Sequence, residues 1–325
     1  MASTQMLSEV ITDSRAWTAQ SIDGGESWRY TLTADCFAEL DAFVAERRGQ
    51  SQPVTETRIA SADFPACAAV LNDAVVALES GRGFIIVERL SFERYSREEA
   101  QMVYWVIGQL LGAPFAQDVK GTLLYDVRDT GQDVSKGARF SVSNLESSFH
   151  MDHCFGDPIP DILGLLSLHG AKSGGRSQFL SAYTLHNELL QEHADVLATL
   201  YEPWYFDRRG QFKEGEKPVF EAPIFRWDAQ GLHIRYLYYY IQVGQEKMGE
   251  PFSPAQAKAL EAVEATLTRQ DLHVEMLLEP GQMLFTSNHW LLHNRTSFED
   301  YPEPERRRHL VRLWLSNRNG AVAHH

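Results

Sequence analysis

The chain has 325 residues, of which 44% are hydrophobic and 23% charged, and its formal net charge at pH 7 is −14. This composition is typical of a globular protein with a large core, and the negative charge argues against a nucleic-acid or anionic-membrane surface, since both require basic patches. Residues 1–15 lack the pattern of a signal peptide, and no apolar run of about 18 residues predicts a membrane span. The three widely spaced cysteines suit free thiols in a reducing compartment, so we expect a cytoplasmic protein.

Two helical patterns occupy the first part of the chain. The first begins at Thr33, and its apolar residues recur on one helix face at Phe37, Leu40 and Val44. The second begins near Ser61 and ends at Gly81. We expect residues 1–82 to form a helical extension that packs on the rest of the chain.

From residue 83 onwards the pattern changes to many short strands. Residues 83–90 predict a buried strand, and residues 96–112 predict a helix that opens with a capping box at Ser96. Two further helices are predicted, one near residues 184–192 and one that begins at Ser253. The other apolar segments predict strands at residues 121–127, 161–169, 177–182, 218–227, 232–241, 273–279, 282–288 and 308–316. This order predicts an α+β fold, in which residues 83–325 form a double-stranded β-helix, or jelly roll, with flanking helices.

The stretch SSFHMDHCF, residues 147–155, separates His150 from Asp152 by one residue. On a strand, residues i and i+2 point to the same face, so both side chains can reach one metal ion. His293 is the best candidate for a third ligand, and two histidines with one carboxylate match the donor set of non-haem Fe(II) oxygenases. An isolated pair of this kind often occurs by chance, and four other histidines stay open as alternative ligands: His153, His273, His289 and His309.

Two arginines lie on one face of the last predicted strand, which also carries Leu310 and Trp314. Burial of the Arg308 and Arg312 side chains among apolar residues costs free energy unless their guanidinium groups bind carboxylates. A dicarboxylate co-substrate would satisfy such an arginine through two parallel hydrogen bonds, and an internal ion pair with Asp or Glu would do so equally well. Both alternatives stay open. Earlier in the chain, the polar, glycine-containing residues 128–139 predict a mobile lid.

These segments resemble the taurine dioxygenase/TfdA family of Fe(II)- and 2-oxoglutarate-dependent oxygenases, which includes clavaminate synthase-like members. The proximal motif is HxD followed by a proline-rich loop and a GG-x-T segment, and the chain has FHMDHCFGDPIPDILGLLSLHGAKSGGRSQF. The distal motif joins PGD-x-x-F, N-x-x-x-x-H-x-R-x-x-F and R-x-x-x-R, and the chain has PGQMLFTSNHWLLHNRTSFEDYPEPERRRHLVRLWLS. The resemblance covers about residues 83–318. The chain departs from the motifs at Met151, Ser177 and Gln282, none of which is an expected ligand.

The resemblance implies a role for each matching residue. His150, Asp152 and His293 are expected to bind Fe(II), and Arg308, helped by the Ser177 hydroxyl, is expected to bind the far carboxylate of 2-oxoglutarate. Arg312 lies where some family members hold an anionic group of the substrate. Tyr125 and Asn144 are weaker candidates for contacts with the substrate.

The resemblance also implies the reaction. O2 and 2-oxoglutarate would be consumed, succinate and CO2 released, and a small organic acid or amino-acid-like substrate hydroxylated. A desaturase or cyclase that uses the same iron chemistry, and a jelly roll that binds a small acid without turnover, are the alternatives. We expect a small-molecule substrate and neither nucleic acid nor membrane as a partner, and a homo-oligomer stays open.

Overall fold

The structure is a computed structural model that describes residues 6–22, 26–132 and 140–317. Residues 133–139 of the predicted lid therefore lie outside the described ranges. All three cysteines fall within those ranges and are buried, free thiols. None of the helices in this part of the chain is long and apolar enough to cross a membrane.

The α-helices lie mostly before and between the strands. Their caps follow the sequence: Thr33 caps the first helix by accepting a hydrogen bond from the backbone of Cys36 at 3.2 Å, and Ser96 and Ser253 open capping boxes. The helices are α1 (Ala34–Arg47), α2 (Pro65–Val70), α3 (Ala74–Glu79), α4 (Arg97–Leu111), α5 (Ala182–Glu192), α6 (Ala194–Leu200), α7 (Tyr238–Met248) and α8 (Pro254–Leu267).

A seven-stranded sheet forms the centre of the molecule. Along it the strands follow the order β1-β2-β14-β6-β17-β3, and β4 also pairs with β17. The pairs are antiparallel except for the parallel contact of β1 with β2. The strands are β1 (Arg29–Tyr30), β2 (Phe84–Val87), β3 (Ala113–Phe115), β4 (Leu124–Val127), β6 (Ile162–His169), β14 (Met283–Ser287) and β17 (His309–Ser316).

A second sheet has four strands in the order β13-β8-β15-β5. They are β5 (Ser147–His150), β8 (Ser177–Ser181), β13 (Val274–Met276) and β15 (Leu291–Arg295). The other strands form two-stranded pairs: β7 (Ser173–Gly174) with β16 (Phe298–Glu299), β9 (Pro203–Asp207) with β10 (Val219–Pro223), and β11 (Phe225–Asp228) with β12 (Gly231–Ile234). The chain therefore has a mixed helix and sheet fold.

The seven-stranded sheet separates two hydrophobic cores. In β2, Ile85 and Val87 join the cluster that contains Leu40 of α1 and residues of α4, whereas Phe84 and Ile86 join the cluster that contains residues of the second sheet. This alternation follows from the two-residue period of a strand. Side chains on the second of these faces approach the four-stranded sheet, and the candidate site lies there.

The second helical pattern, from Ser61 to Gly81, was predicted as one helix, and this prediction is wrong. The structure has a 3-10 turn at Ser61–Asp63 and then the separate helices α2 and α3. Asn72 and Asp73 lie at the break. Their side chains compete with the backbone for hydrogen bonds and favour turns, although the apolar positions keep a helical spacing across them.

Residues 232–241 were predicted as one strand, which is correct only for the first three. Strand β12 ends at Ile234, and α7 begins at Tyr238. Tyrosines favour strands, but tertiary contact decides here: the backbone of Gly244 in α7 packs so closely on β9 that an added Cβ would lie 2.3 Å from the carbonyl oxygen of Tyr205.

We predict that Gly164→Ala, in the middle of β6, destabilises the protein. An added Cβ would lie 2.5 Å from Tyr104 Oη and 2.9 Å from Phe285 Cε1, so the core between β6 and α4 would be overpacked. The free energy of unfolding, measured in urea, should fall by about 1–3 kcal/mol. Gly170→Ala is the matched control, because its nearest neighbour would be Pro280 Cγ at 3.9 Å. Equal urea midpoints for the two variants would contradict this account of the packing.

Candidate metal centre and its two cavities

Three side chains converge at the edge where β5 pairs with β15. His150 is the last residue of β5 and lies opposite His293 of β15, with ring centroids 4.3 Å apart. Asp152 follows two residues later, and its Oδ1 is 3.8 Å from His150 Nε2. One donor atom from each of the three residues lies within 4.8 Å of the others. The structure thus brings together the two histidines and the aspartate that the sequence singled out.

The two imidazoles are in the neutral protonation state that a histidine needs to bind a metal. His150 Nδ1 is 2.7 Å from the carbonyl oxygen of Ser148, which can only accept, so this nitrogen carries the hydrogen and Nε2 keeps its lone pair. His293 Nδ1 is buried and has no hydrogen-bond partner among the described residues. Burial lowers the pKa of His150, and burial, together with repulsion from His150 once that ring is protonated at low pH, lowers the pKa of His293 to about 3. Both rings are therefore neutral at pH 7.

The carboxylate of Asp152 is held by two donors from β17. Arg312 Nη1 lies 3.1 Å from Oδ2 and 3.3 Å from Oδ1, and Trp314 Nε1 donates to Oδ2 at 2.8 Å. Burial raises the pKa of Asp152, but the charge of Arg312 and the neighbouring histidines outweigh it and lower the pKa to about 2. The group is an anion at pH 7, so the cluster offers one charged oxygen ligand and two neutral nitrogens.

Asn288 fixes the backbone of Asp152. Its Oδ1 accepts from the Asp152 amide at 2.9 Å, and its Nδ2 donates to the Asp152 and Pro160 carbonyls at 2.9 and 3.1 Å. This residue lies five positions before His293, at the asparagine of the N-x-x-x-x-H motif. The sequence contained the signal, but the motif alone did not indicate that the side chain would anchor the loop beyond β5.

The other histidines considered as ligands lie outside the cluster. His153 has a positive φ of 58°, and its ring packs against Trp314 at a centroid distance of 5.3 Å. His289 Nε2 is 2.5 Å from Asp161 Oδ1, and His309 Nε2 is 2.7 Å from Asp126 Oδ1. The ring of His273 packs against Phe149 at 5.4 Å. In the described ranges, the metal-binding geometry is found for the triad of His150, Asp152 and His293.

A cavity of about 90 Å³, here called the first cavity, extends from the triad between the two sheets. Arg308 and Ser177, the two residues expected to bind the co-substrate, both line it. Arg308 is 4% exposed, and its Nη1 has no hydrogen-bond partner in the part of the chain that the structure describes. Burial, and then the charge of Arg295, lowers its pKa to about 9, so the guanidinium stays charged at pH 7. A buried cation with an unsatisfied donor is costly unless an anion binds to it.

Arg295 is a second cationic residue that lines the first cavity. No role was predicted for it from the sequence. Its guanidinium, like that of Arg308, lies over the Phe298 ring, with Cζ 4.8 and 5.0 Å from the centroid. Burial lowers its pKa to about 10. The positive charge at this end of the cavity suits a ligand with more than one carboxylate.

The glycine pair before β8 leaves room for Arg308. Gly175 has a φ of +69°, and an added Cβ would lie 3.1 Å from Arg308 Nε. At Gly174 (φ +74°), a Cβ would lie 2.2 Å from the carbonyl oxygen of Ser297. Residues with side chains would be strained in both conformations, and one at position 175 would also crowd the guanidinium.

A second cavity, of about 80 Å³, lies on the other side of the triad. It shares four lining residues with the first: Ser141, His150, Asp152 and Arg312. His150 and Asp152 therefore lie where the two cavities meet, and His293 completes the triad from the first cavity. A co-substrate and a substrate could reach one metal ion from different directions.

The contacts of Arg312 are those of an internal ion pair. Besides Asp152, its Nε donates to Gln117 Oε1 at 2.7 Å, and Gln117 Nε2 donates to the Arg312 carbonyl at 2.9 Å. Of the two alternatives left open by the sequence, the structure displays the pair with a carboxylate of the protein. The carboxylate is that of Asp152, and local sequence spacing could not indicate this pairing. A substrate contact of Arg312 stays a prediction.

The two weaker substrate candidates lie outside both cavity linings. Tyr125 pairs with Arg312 across β4 and β17, and its ring lies 5.0 Å from Arg312 Cζ. Asn144 is exposed, and its carbonyl accepts from the backbone of Phe298 at 3.1 Å. Tyr125 thus packs on a cavity residue, whereas Asn144 belongs to a surface loop. Their substrate roles stay predictions.

Comparisons with known proteins extend these observations. The family model described as "Taurine catabolism dioxygenase TauD, TfdA family" matches residues 49–314. FR-33289 synthase of Streptomyces rubellomurinus is 29% identical over 321 residues, which cover 97% of this chain and 93% of that protein. A taurine hydroxylase-like protein of Stachybotrys chartarum is 25% identical over 318 residues, which cover 93% of this chain and 79% of that protein.

Solved structures share the fold. An asparagine oxygenase in complex with Fe(II), 3-hydroxyasparagine and succinate matches with a TM-score of 0.65 at 18% identity, over 89% of this chain and 93% of its own. The non-haem iron oxygenase OrfP in complex with Fe and alpha-ketoglutaric acid matches with a TM-score of 0.65 at 16% identity, over 89% of this chain and 94% of its own. Because the family model covers most of the sequence, the chain belongs to the taurine catabolism dioxygenase TauD, TfdA family.

Proposed function

We propose that the protein is an Fe(II)- and 2-oxoglutarate-dependent oxygenase that hydroxylates a small organic acid or amino-acid-like substrate and releases succinate and CO2. One observation carries this proposal: two neutral histidines and an ionised aspartate converge where two cavities meet, and one cavity contains a buried arginine with an unsatisfied donor. The asparagine oxygenase and OrfP, which share the fold, were solved with iron and with succinate or alpha-ketoglutaric acid.

In this proposal, His150 and His293 would each bind the iron through one ring nitrogen, and Asp152 would bind it through one carboxylate oxygen. This donor set leaves positions open for other ligands. When bound, the iron supplies the activation of O2, one oxygen atom of which enters the substrate C–H bond while the other enters succinate. Arg312, Trp314 and Asn288 act through Asp152, because they fix the direction of its carboxylate and keep it ionised.

Arg308 is proposed to bind the carboxylate of 2-oxoglutarate that lies farther from the iron. Its buried guanidinium offers the donor geometry that matches a carboxylate, and the Ser177 hydroxyl lines the same cavity. Arg295 would add a second positive charge beside it. The apolar lining, which includes Leu163, Phe179 and Leu310, would exclude water from the bound co-substrate.

We also propose a fold type, a division of the chain, a cellular location and a class of partner. We infer that the two sheets are the halves of a double-stranded β-helix formed by residues 83–325, because both contribute to the first cavity. Residues 1–82 would be a helical extension that also adds β1 to the edge of the seven-stranded sheet, and the packing of Leu40 in one cluster with Val87 supports its contact with the core. The buried free thiols support a cytoplasmic location, and the site favours a small molecule, not nucleic acid or a membrane, as partner. Assembly into a homo-oligomer stays open.

Removal of the carboxylate should abolish the metal site. Asp152→Ala should lose both succinate formation and the weak visible charge-transfer band that forms on anaerobic mixing with Fe(II) and 2-oxoglutarate, since only two ligands remain. His153→Ala is the matched control: its ring lines the second cavity, so the band should persist even where turnover falls. A band retained by Asp152→Ala and lost by His153→Ala would show that the ligands are wrongly assigned.

Loss of the buried arginine should weaken binding of the co-substrate. Arg308→Gln removes a charge-assisted contact worth about 2–5 kcal/mol, so the KM for 2-oxoglutarate should rise strongly in assays of succinate formation. Arg307→Gln provides the comparison, because Arg307 is exposed and donates to the carbonyls of Tyr301 and Pro302. If both variants keep the wild-type KM, another residue holds the co-substrate.

Trp314→Phe tests whether the donors of β17 position Asp152. The variant loses the hydrogen bond to Oδ2 and keeps an aromatic ring, so its affinity for Fe(II), measured by anaerobic titration, should fall about 10–100-fold. Trp204→Phe should keep wild-type affinity, because the buried indole of Trp204 donates to the Thr199 carbonyl and lines neither cavity. Equal Fe(II) affinities of wild type and Trp314→Phe would limit this residue to packing.

A further inference from the structure

Two buried polar atoms belong to residues of the first cavity and lack a partner. One is Oγ1 of Thr286 on β14, a residue that is 1% exposed, and the other is Nδ1 of His293 on β15. Both residues line the first cavity, and neither atom has a hydrogen-bond partner among the described residues. A buried hydroxyl or N–H group without a partner costs free energy, so each of these atoms requires an explanation.

Strand pairing places Thr286 in a row of side chains that crosses the seven-stranded sheet. Thr286 pairs with Phe84 of β2 on one side and with Leu163 of β6 on the other. Leu163 pairs in turn with Trp314 of β17, which donates to Asp152 at 2.8 Å. Paired residues of a sheet point to the same face, so this row faces the second sheet and the first cavity.

A second row crosses the four-stranded sheet on the other side of the cavity. His293 pairs with Phe179 of β8 on one side and with β5, which leads to Asp152, on the other. At one end the two rows meet where Phe84 stacks on Phe179, with ring centroids 5.2 Å apart. At the other end they meet where Trp314 donates to Asp152. The two rows therefore run side by side across the cavity.

Thr286 and His293 lie in the middle of these rows and face each other. The neighbours of Thr286 in its row, Phe84 and Leu163, are apolar and offer its hydroxyl no partner. Packed sheets lie about 10 Å apart, and no direct hydrogen bond joins the two side chains. The cavity of about 90 Å³ is several times larger than the roughly 10–15 Å³ that one water molecule requires. One water molecule can therefore bridge the two atoms.

The two histidines of the triad differ in what fixes their rings. Nδ1 of His150 is 2.7 Å from the carbonyl oxygen of Ser148. Metal-binding histidines generally donate their second ring N–H to a fixed acceptor, which sets the tautomer and the direction of the ring. His293 has no such acceptor among the described residues, and a hydroxyl such as that of Thr286 both accepts and donates.

An unsatisfied hydroxyl alone does not make a site, as Ser167 of β6 illustrates. Its Oγ is also buried in the seven-stranded sheet without a partner among the described residues, but Ser167 lines neither cavity. Thr286 differs because it lines the first cavity and faces a second unsatisfied atom of complementary type.

We propose that Thr286 is a positioning residue for His293: its hydroxyl accepts a hydrogen bond from a water molecule, and this water accepts the Nδ1 hydrogen of His293. The contact fixes the tautomer in which Nε2 keeps its lone pair for the metal. This proposal rests on the proposed function, because it requires His293 to bind Fe(II). Thr286 is separate from Arg308, which holds the co-substrate.

Thr286→Val removes the hydroxyl and keeps the branched shape of the side chain. In anaerobic titration without 2-oxoglutarate, the Kd for Fe(II) should rise at least about tenfold, whereas the KM for 2-oxoglutarate at saturating Fe(II) should not change. Thr286→Ser, which keeps the hydroxyl, should bind Fe(II) nearly as tightly as wild type. Ser167→Ala is the matched control and should keep the wild-type Kd, because the hydroxyl it removes lies away from both cavities.

Proton NMR of the protein loaded with Co(II) in place of Fe(II) gives a readout that packing alone would not move. Each metal-bound imidazole contributes an exchangeable N–H signal that the paramagnetic ion shifts. In Thr286→Val the signal of His293 should move or broaden through faster exchange with solvent. The signal of His150, whose N–H is held by the Ser148 carbonyl, should stay in place and serve as the internal reference.

Wild-type Fe(II) affinity and unchanged N–H signals in Thr286→Val overturn the proposal, and so does an equal loss of affinity in Ser167→Ala. A raised KM for 2-oxoglutarate with unchanged Fe(II) affinity also overturns it, because Thr286 would then contact the co-substrate. The visible band of wild type with Fe(II) and 2-oxoglutarate reports the proposed function separately. A band in wild type without an effect of Thr286→Val overturns the Thr286 proposal alone, and no band overturns the proposed function on which it rests.

Discussion

The carboxylate of Asp152 is buried between two histidines, and its charge depends on hydrogen bonds from a single strand. Arg312 and Trp314 of β17 both donate to it, and together with the histidines they keep its pKa near 2 despite burial. A buried carboxylate without such donors would take up a proton and lose its value as a ligand. Because Arg308 directly precedes β17, this strand fixes both the metal ligand and the proposed anchor of 2-oxoglutarate, and any shift of β17 would disturb the two together.

The arginines around the metal centre differ in the partners that neutralise their charges, and this difference indicates different roles for them. Arg312 has protein partners on both sides, in Asp152 and Gln117, so it can be buried without a ligand. Arg308 is more deeply buried than Arg312, and it has an unsatisfied donor, which a dicarboxylate would satisfy. The same residue type thus supports both an internal ion pair and the proposed co-substrate site.

Much of this arrangement could be predicted from local sequence, because its signals are local. The capping boxes at Ser96 and Ser253 mark helices α4 and α8, and the spacing of His150 and Asp152 brings both to one ion. The predicted strand at 232–241 was wrong beyond Ile234, because the close packing of α7 on β9 is a tertiary constraint. For the same reason the acid that meets Arg312 could not be identified, since 160 positions separate the two residues.

The position of the metal tests the account most directly. Anomalous diffraction at the iron edge, from crystals grown without oxygen in Fe(II) and 2-oxoglutarate, would locate the ion and its co-substrate. We expect one iron peak at bonding distance, about 2.0–2.2 Å as for comparable nitrogen and oxygen ligands, from His150, Asp152 and His293. We also expect a co-substrate carboxylate on Arg308. An iron peak at other residues, or 2-oxoglutarate bound in the second cavity, would contradict it.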